Sequence, residues 1–170
     1  MNDRVSPSPQ VVVGQIVKPH GVRGEVTIEV NPQFPNVFGV GESVYIQGHP
    51  HQINRSSALQ KERMVIKFKG ISNREVAESL RAENITIPQD KLPTLPYGKY
   101  YHFQIIGMSV FETSGEYLGR ITEIICTGAN DVYVITNNTT ELLMPAINQV
   151  IKEVDLDRST MIVQLPKGLR

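Results

Sequence analysis

The excess of β-branched over helix-favouring residues constrains this chain more than any other feature. Its 170 residues hold 19 Val and 17 Ile against 5 Ala and 10 Leu. Branching at Cβ restricts rotamers in a helix and packs well on a pleated sheet, whereas Ala and Leu favour helices. Thirteen Gly and 11 Pro add frequent turn signals. The expectation is an all-β chain, long enough for one large domain or two small ones.

Periodicity places the strands. Residues 11–17 read as a first strand interrupted by Gly14. Over 24–30, Val26, Ile28 and Val30 alternate with Glu25, Thr27 and Glu29, the pattern of a half-buried strand. Further strands are expected at 43–47, 51–55 and 61–69, with Gly48, His49 and Pro50 splitting the first two. Ser72 and Glu75 match a capping box ahead of Val76, Ala77 and Leu80, so one short helix closes this half, with Asn84 as its stop. Pro88, Pro93, Pro96 and Gly98 then mark a stiff, extended connector. Strands resume at 102–111, 117–126, 131–136, 141–144 and 160–165, with turn chemistry at 128–131. The expected organisation is an N-terminal tail over 1–10, a β-barrel over 11–88, a Pro-rich linker over 89–99 and a second β-barrel over 100–170. Closure into small barrels removes exposed strand edges.

Charge and composition narrow the function. Seventeen Lys+Arg balance 17 Asp+Glu, so only local patterning can carry an electrostatic role. No apolar run approaches the ~20 residues of a membrane helix, and the first ten residues lack the apolar stretch of a signal peptide. Cys126 is the sole cysteine, which excludes an internal disulfide framework and a four-cysteine zinc site. A cytoplasmic protein without a cofactor is expected. There is no Walker loop, no Gly-x-Ser-x-Gly elbow and no Cys–His pair with local support. His49 and His51 could chelate a metal, but two ligands at a turn are more often solvent-exposed, and no metal site is expected. Asp155, Asp157 and Arg158 read as a charged turn before the last strand.

Three groups of residues stand out as binding candidates. Lys18-Pro-His-Gly-Val-Arg-Gly24 follows the first strand. Gly21 and Gly24 permit unusual backbone and close approach, while Lys18, His20 and Arg23 offer donors for phosphate oxygens. The plainer alternative is a tight connection whose glycines merely turn the chain. Over 61–69, Lys61, Arg63, Lys67 and Lys69 fall on one face of a strand, interrupted only by Val65. Such a row can follow a nucleic-acid backbone, or simply keep a barrel face solvated. Tyr97, Tyr100 and Tyr101 cluster where the linker meets the second domain and suit a protein interface. Adjacent residues of an extended segment point opposite ways, so one of Tyr100 and Tyr101 should face inward and the other outward.

These residues together resemble the RimM family of ribosome maturation factors. The stretch from Val13 to Val26 is similar to the family's N-terminal signature, and 74–80 to its helix. Residues 100–107 are similar to its inter-domain segment. Gly115, Leu118-Gly119, Gly128-Ala-Asn-Asp131, Met144-Pro145 and Pro166-Lys-Gly-Leu169 are similar to its C-terminal PRC-barrel. Gln104 departs from the pattern, since many members carry an acidic residue there, so no charge-based role is carried over to it. The resemblance implies a translation-factor-like first barrel and a non-enzymatic assembly factor acting as a chaperone. Such a factor binds the pre-30S particle and assists folding of the 30S head and processing of 16S rRNA. The implied partner is ribosomal protein nineteen of the small subunit, with the family's tyrosine pair falling on Tyr100 and Tyr101. Contact with 16S rRNA of the head is also expected, made by a monomer with no membrane association. The competing classes are a flavin- or nucleotide-binding barrel enzyme and a generic PRC-barrel adaptor.

Overall fold

The computed structural model describes residues 8–169, so the first seven residues of the expected tail lie outside the described residues. The chain divides into two compact units between Thr94 and Leu95. Both are built from strands, as the excess of Val and Ile requires.

The first unit contains β1 (Gln10–His20), β2 (Glu25–Val30), β3 (Ser43–Ile46), β4 (His49–Ala58), β5 (Arg63–Phe68), α1 (Arg74–Ser79) and β6 (Asn84–Pro88). The strands form a closed barrel in the order β1-β2-β5-β4-β3-β6. Every ladder is antiparallel. Val26, Ile28 and Val30 point into the barrel with Ile16, Val44, Ile46, Ile53, Ile66, Phe68, Ile85 and Ile87. Register shifts in β1, between Val12 and Gly14 and between Ile16 and Lys18, bend it so that it can pair with both β2 and β6. Gly14 sits at a close approach of two chain segments. A Cβ there would stand 2.8 Å from the Glu29 carbonyl oxygen and 3.1 Å from the Phe38 ring.

Four local details differ from the sequence reading. The hairpin turn before β4 is Gln47-Gly48, both with positive φ, which leaves His49 and Pro50 inside the strand. Asn73 rather than Ser72 caps α1, its Oδ1 accepting the Val76 N–H at 2.9 Å. The helix ends at Leu80, and Ala82 takes φ 66, so Asn84 begins a strand instead of stopping a helix. That strand, β6, closes the barrel. Thr27, expected on the solvent side of β2, is only 2% exposed, and α1 lies against β1 and β2.

The expected linker holds a single 3₁₀ turn at Gln89–Lys91 and no other helix or strand. The second unit contains α2 (His102–Ile105), β7 (Ser109–Glu112), β8 (Tyr117–Ile125), β9 (Val132–Asn137), β10 (Thr140–Pro145), β11 (Ile151–Asp155) and β12 (Thr160–Val163). Its six strands form one sheet in the order β10-β9-β8-β7-β12-β11. Only β7 and β12 pair in parallel. The core gathers Ile105, Met108, Val110, Ile121, Ile135, Met144, Met161 and Val163. Val134 and Ile135, on opposite faces of β9, are both buried, as a wholly apolar strand demands.

Residues 102–105 are helical where a strand was expected. The Gln104 side chain accepts the Tyr101 N–H at 2.9 Å, and the Ile106 N–H bonds the His102 carbonyl at 2.9 Å. Gly107, with φ 91, then redirects the chain into β7. These local bonds outweigh the strand preference of Ile105 and Ile106. The Gln104 carbonyl oxygen performs the capping that a carboxylate would, and it needs no charge to do so.

Candidate functional site

In the first unit the candidate surface is the β1–β2 hairpin loop. His20 pairs with Glu25 across the hairpin, and residues 21–24 form the connection. Gly24 has φ 81, and a Cβ on it would stand 2.5 Å from the Ile71 carbonyl oxygen, so the loop requires glycine there. Gly21 has φ 67 but open space around it. Two cations hold the loop from outside. Lys67 Nζ donates to the carbonyls of Arg23 and Ile71, and Arg74 Nη1 donates to the Gly21 carbonyl at 3.0 Å. At the base of the hairpin Arg55 pairs with Glu25, and that hydrogen bond holds the Glu25 carboxyl below its ordinary range. The held loop leaves Lys18, His20, Val22 and Arg23 exposed.

This geometry corrects the reading of residues 61–69 as one cationic row. Lys67 is turned to backbone carbonyls, so its charge fastens the loop instead of facing solvent with its neighbours. Arg63 lies directly opposite Glu29 in the β2–β5 ladder, an anion set beside the cation. Lys61 sits in the β4–β5 turn with φ 58, outside the strand. Lys69 is exposed just beyond the end of β5. The cations present separate points, not a continuous strip. His51 is half-buried with its ring 5.8 Å from that of Phe68. Burial, and then the charge of His49, lower its pKa.

In the second unit the three tyrosines occupy three different environments. Tyr97 stands at the tip of a β-turn closed by the Lys99 N–H and the Pro96 carbonyl at 3.0 Å, with Gly98 at φ 78. Its side chain is fully exposed. Tyr100 is half-buried and packs on the edge of the second core. Tyr101 is 7% exposed, its ring stacked on Phe103 at 5.6 Å and 10°. Burial raises its phenol pKa. Tyr101 is therefore a packing residue, and Tyr97 and Tyr100 are the ones a partner can reach.

Beside them lies a convergence that sequence spacing did not show. His102, at the start of α2, meets Asp131 with Nε2 2.9 Å from Oδ2, and Cys126 adjoins both. The turn between Cys126 and Asp131 is set by Thr127, whose Oγ1 accepts the Asn130 N–H at 3.2 Å and donates to the Asn130 carbonyl. Burial, followed by Asp131 and Tyr100, pushes the Tyr133 phenol up to about 12. No local motif joins residue 102 to residues 126 and 131; the β7–β8–β9 ladders bring them together.

Comparison with known proteins agrees over nearly the whole chain. Residues 11–92 match the RimM N-terminal domain model and residues 102–169 the RimM PRC barrel domain model. A protein of Heliobacterium modesticaldum named ribosome maturation factor RimM is 42% identical, covering 95% of this chain and 98% of its own. One of the same name from Ligilactobacillus salivarius is 39% identical over 92% of this chain and 96% of its own. A solved structure from Pseudomonas aeruginosa, described as a 16S ribosomal RNA processing protein RimM, is 28% identical. It covers 93% of this chain and 98% of its own, with a TM-score of 0.46. Two family models in tandem and relatives matched end to end leave one conclusion: this chain belongs to the RimM family.

Proposed function

We propose that this protein binds the pre-30S particle in the cytoplasm and assists maturation of the 30S head and processing of 16S rRNA. The observation that carries the proposal is the match of both domains, in order, to proteins named ribosome maturation factors. It acts by binding and not by turnover. Tyr97 and Tyr100 contact ribosomal protein nineteen of the small subunit, while Tyr101 is buried and stacked on Phe103. Lys18, His20 and Arg23, supported by Lys61, Arg63 and Lys69, contact phosphates of the head RNA. Lys67 serves indirectly by fixing the loop. Two contacts on one chain raise the effective concentration of the second once the first is made. The protein promotes folding only by preferring the correctly folded head, since equal affinity for both states shifts no equilibrium.

Sedimentation of lysate with tagged protein tests the role directly. Enrichment on incomplete small subunits over mature ones is the expected result, and equal distribution or absence from both refutes it. Calorimetry with the purified ribosomal protein tests the tyrosines: Tyr97→Ala and Tyr100→Ala weaken binding while the fold persists. Unchanged affinity in both variants removes that assignment. Replacing Lys18 and Arg23 with Gln lowers the slope of log affinity against log salt by about 1–2. An unaltered slope removes them from the RNA contact.

A further inference from the structure

The trio His102, Cys126 and Asp131 has no part in the binding role above, yet its chemistry is specific. The imidazole nitrogen, thiol sulfur and carboxylate oxygen all lie within 4.8 Å of one another. They come from three places: the start of α2, the residue after β8 and the residue before β9. Each is held by backbone bonds. The His102 carbonyl accepts the Ile106 N–H, the Asp131 carbonyl accepts the Ala146 N–H at 2.8 Å, and Thr127 fixes the turn between Cys126 and Asp131. The His102 and Asp131 side chains are 20% and 34% exposed, and Cys126 is exposed, so the group opens to solvent on the cysteine side.

We propose that His102, Cys126 and Asp131 are a three-ligand site for a divalent cation of the zinc class, with water in a fourth position. The donor set selects the ion. Calcium and magnesium seek oxygen ligands throughout, whereas zinc takes nitrogen, sulfur and oxygen together in tetrahedral geometry. One thiolate and one carboxylate neutralise a dication. Binding releases the thiol proton to solvent, moves the proton shared by His102 Nε2 and Asp131 to Nδ1 of the neutral imidazole, and replaces the hydrogen bonds that the thiol and the imidazole make to Asp131 with bonds to the metal. A Cys–His–Asp nucleophile fits less well. Such a triad needs the imidazole between thiol and carboxylate and a thiol of lowered pKa. Here the Asp131 carboxylate receives both other groups, and partial desolvation of the otherwise exposed thiol, then the Asp131 charge and hydrogen bond, hold its pKa up. A bound cation ties the residue following Tyr101 to the β8–β9 turn.

Cobalt(II) titration of the full chain tests the site, because Cys126 is the only cysteine and any sulfur-to-cobalt charge-transfer band must come from it. One equivalent is expected to give that band together with visible bands of four-coordinate intensity, and zinc is expected to displace both. Cys126→Ser removes the band. His102→Ala and Asp131→Asn each weaken binding at least as much as the about 10–100-fold typical of losing a supporting residue. Zinc raises the melting temperature of the unaltered chain but not of Cys126→Ser. Absence of the band in the unaltered chain overturns the proposal. So does a band of undiminished affinity in His102→Ala, which marks a lone thiol, or its loss in His49→Gln/His51→Gln, which places the metal elsewhere. Should Asp131→Asn disturb the turn, as circular dichroism reports, His102→Ala decides.

Discussion

The two units reach a buried core by different routes. In the first, every strand has two neighbours and the sheet closes on itself. In the second, the sheet runs from β10 to β11, and among the described residues each of these pairs on one side only. Those edge strands carry features that discourage pairing with another chain. β10 ends in Pro145, and β11 exposes Lys152 and Glu153 at a register shift. The candidate surfaces follow the same division. The first unit presents a loop fastened by long-range side chains onto a closed frame. The second presents side chains from the turn at Tyr97 and from α2, placed by local hydrogen bonds.

The largest predicted effects come from removing one buried aromatic ring in each unit. Phe68 is fully buried in the barrel, and Phe68→Ala should lower unfolding free energy by about 4 kcal/mol. Tyr101→Ala in the second unit should remove about 3 kcal/mol, because that ring is packed although it belongs to the tyrosine cluster. Urea denaturation monitored by circular dichroism measures both. If Tyr101→Ala proves as harmless as a surface change, Tyr101 returns to the set of partner contacts. For the same reason a double Tyr100/Tyr101 alanine variant confounds binding with folding, whereas the single change at the fully exposed Tyr97 does not, and Tyr100→Ala is read together with its urea denaturation because that ring packs on the core.

Next in size is a contrast within one loop. Gly24 and Gly21 both have positive φ, but only Gly24 has a carbonyl in the space of a Cβ. Gly24→Ala should cost about 2 kcal/mol or more, Gly21→Ala about 1 kcal/mol from backbone strain alone. Equal losses would show that the approach to Ile71 relaxes freely and that the loop is less fixed than its hydrogen bonds imply.

A change of opposite sign tests the covering of the barrel by α1. The Thr27 hydroxyl is buried and has no hydrogen-bond partner among the described residues. Thr27→Val replaces it with an apolar group of the same shape and should stabilise the protein by about 1 kcal/mol. A loss of stability instead would mean that the hydroxyl is satisfied in solution.

The units also differ in how much the sequence revealed. Alternation in β2 and the unbroken apolar run of β9 place those strands directly, because burial on one or both faces writes a period into the chain. In the same way the Val and Ile excess gives the all-β class. What sequence did not show depends on bonds without a period. Residues 102–105 read as strand until Gln104 caps Tyr101, and β11 leaves no period because Ile151 and Val154 are split by a register shift. The candidate residues followed suit. Lys18 and His20 close strand β1 and Arg23 lies in the glycine-bounded turn that follows, and all three remain exposed. Lys67 looked like its cationic neighbours in sequence, and only the fold shows that its charge is spent on the carbonyls of Arg23 and Ile71. The convergence of His102 with Cys126 and Asp131 had no linear trace at all.

The smallest effect concerns the pH dependence of the barrel. His51 is half-buried against Phe68, and burial, then the His49 charge, lower its pKa below the ordinary 6.5. In the unfolded chain His51 takes up its proton near 6.5, while the folded barrel refuses it until a lower pH. The unfolded state therefore binds more protons in that window, and His51 contributes stability above pH 6.5 that is lost as pH falls towards the folded value. The difference between the unaltered chain and His51→Asn, measured by urea denaturation across this range, isolates the contribution. The unaltered chain should lose stability more steeply on acidification. His49→Gln should reduce that steepness without removing it, because burial is the larger cause and His49 the smaller. If His49→Gln removes it entirely, the charge pair and not the packing against Phe68 governs the titration, and His51 is more open to water than its place beside the barrel core suggests.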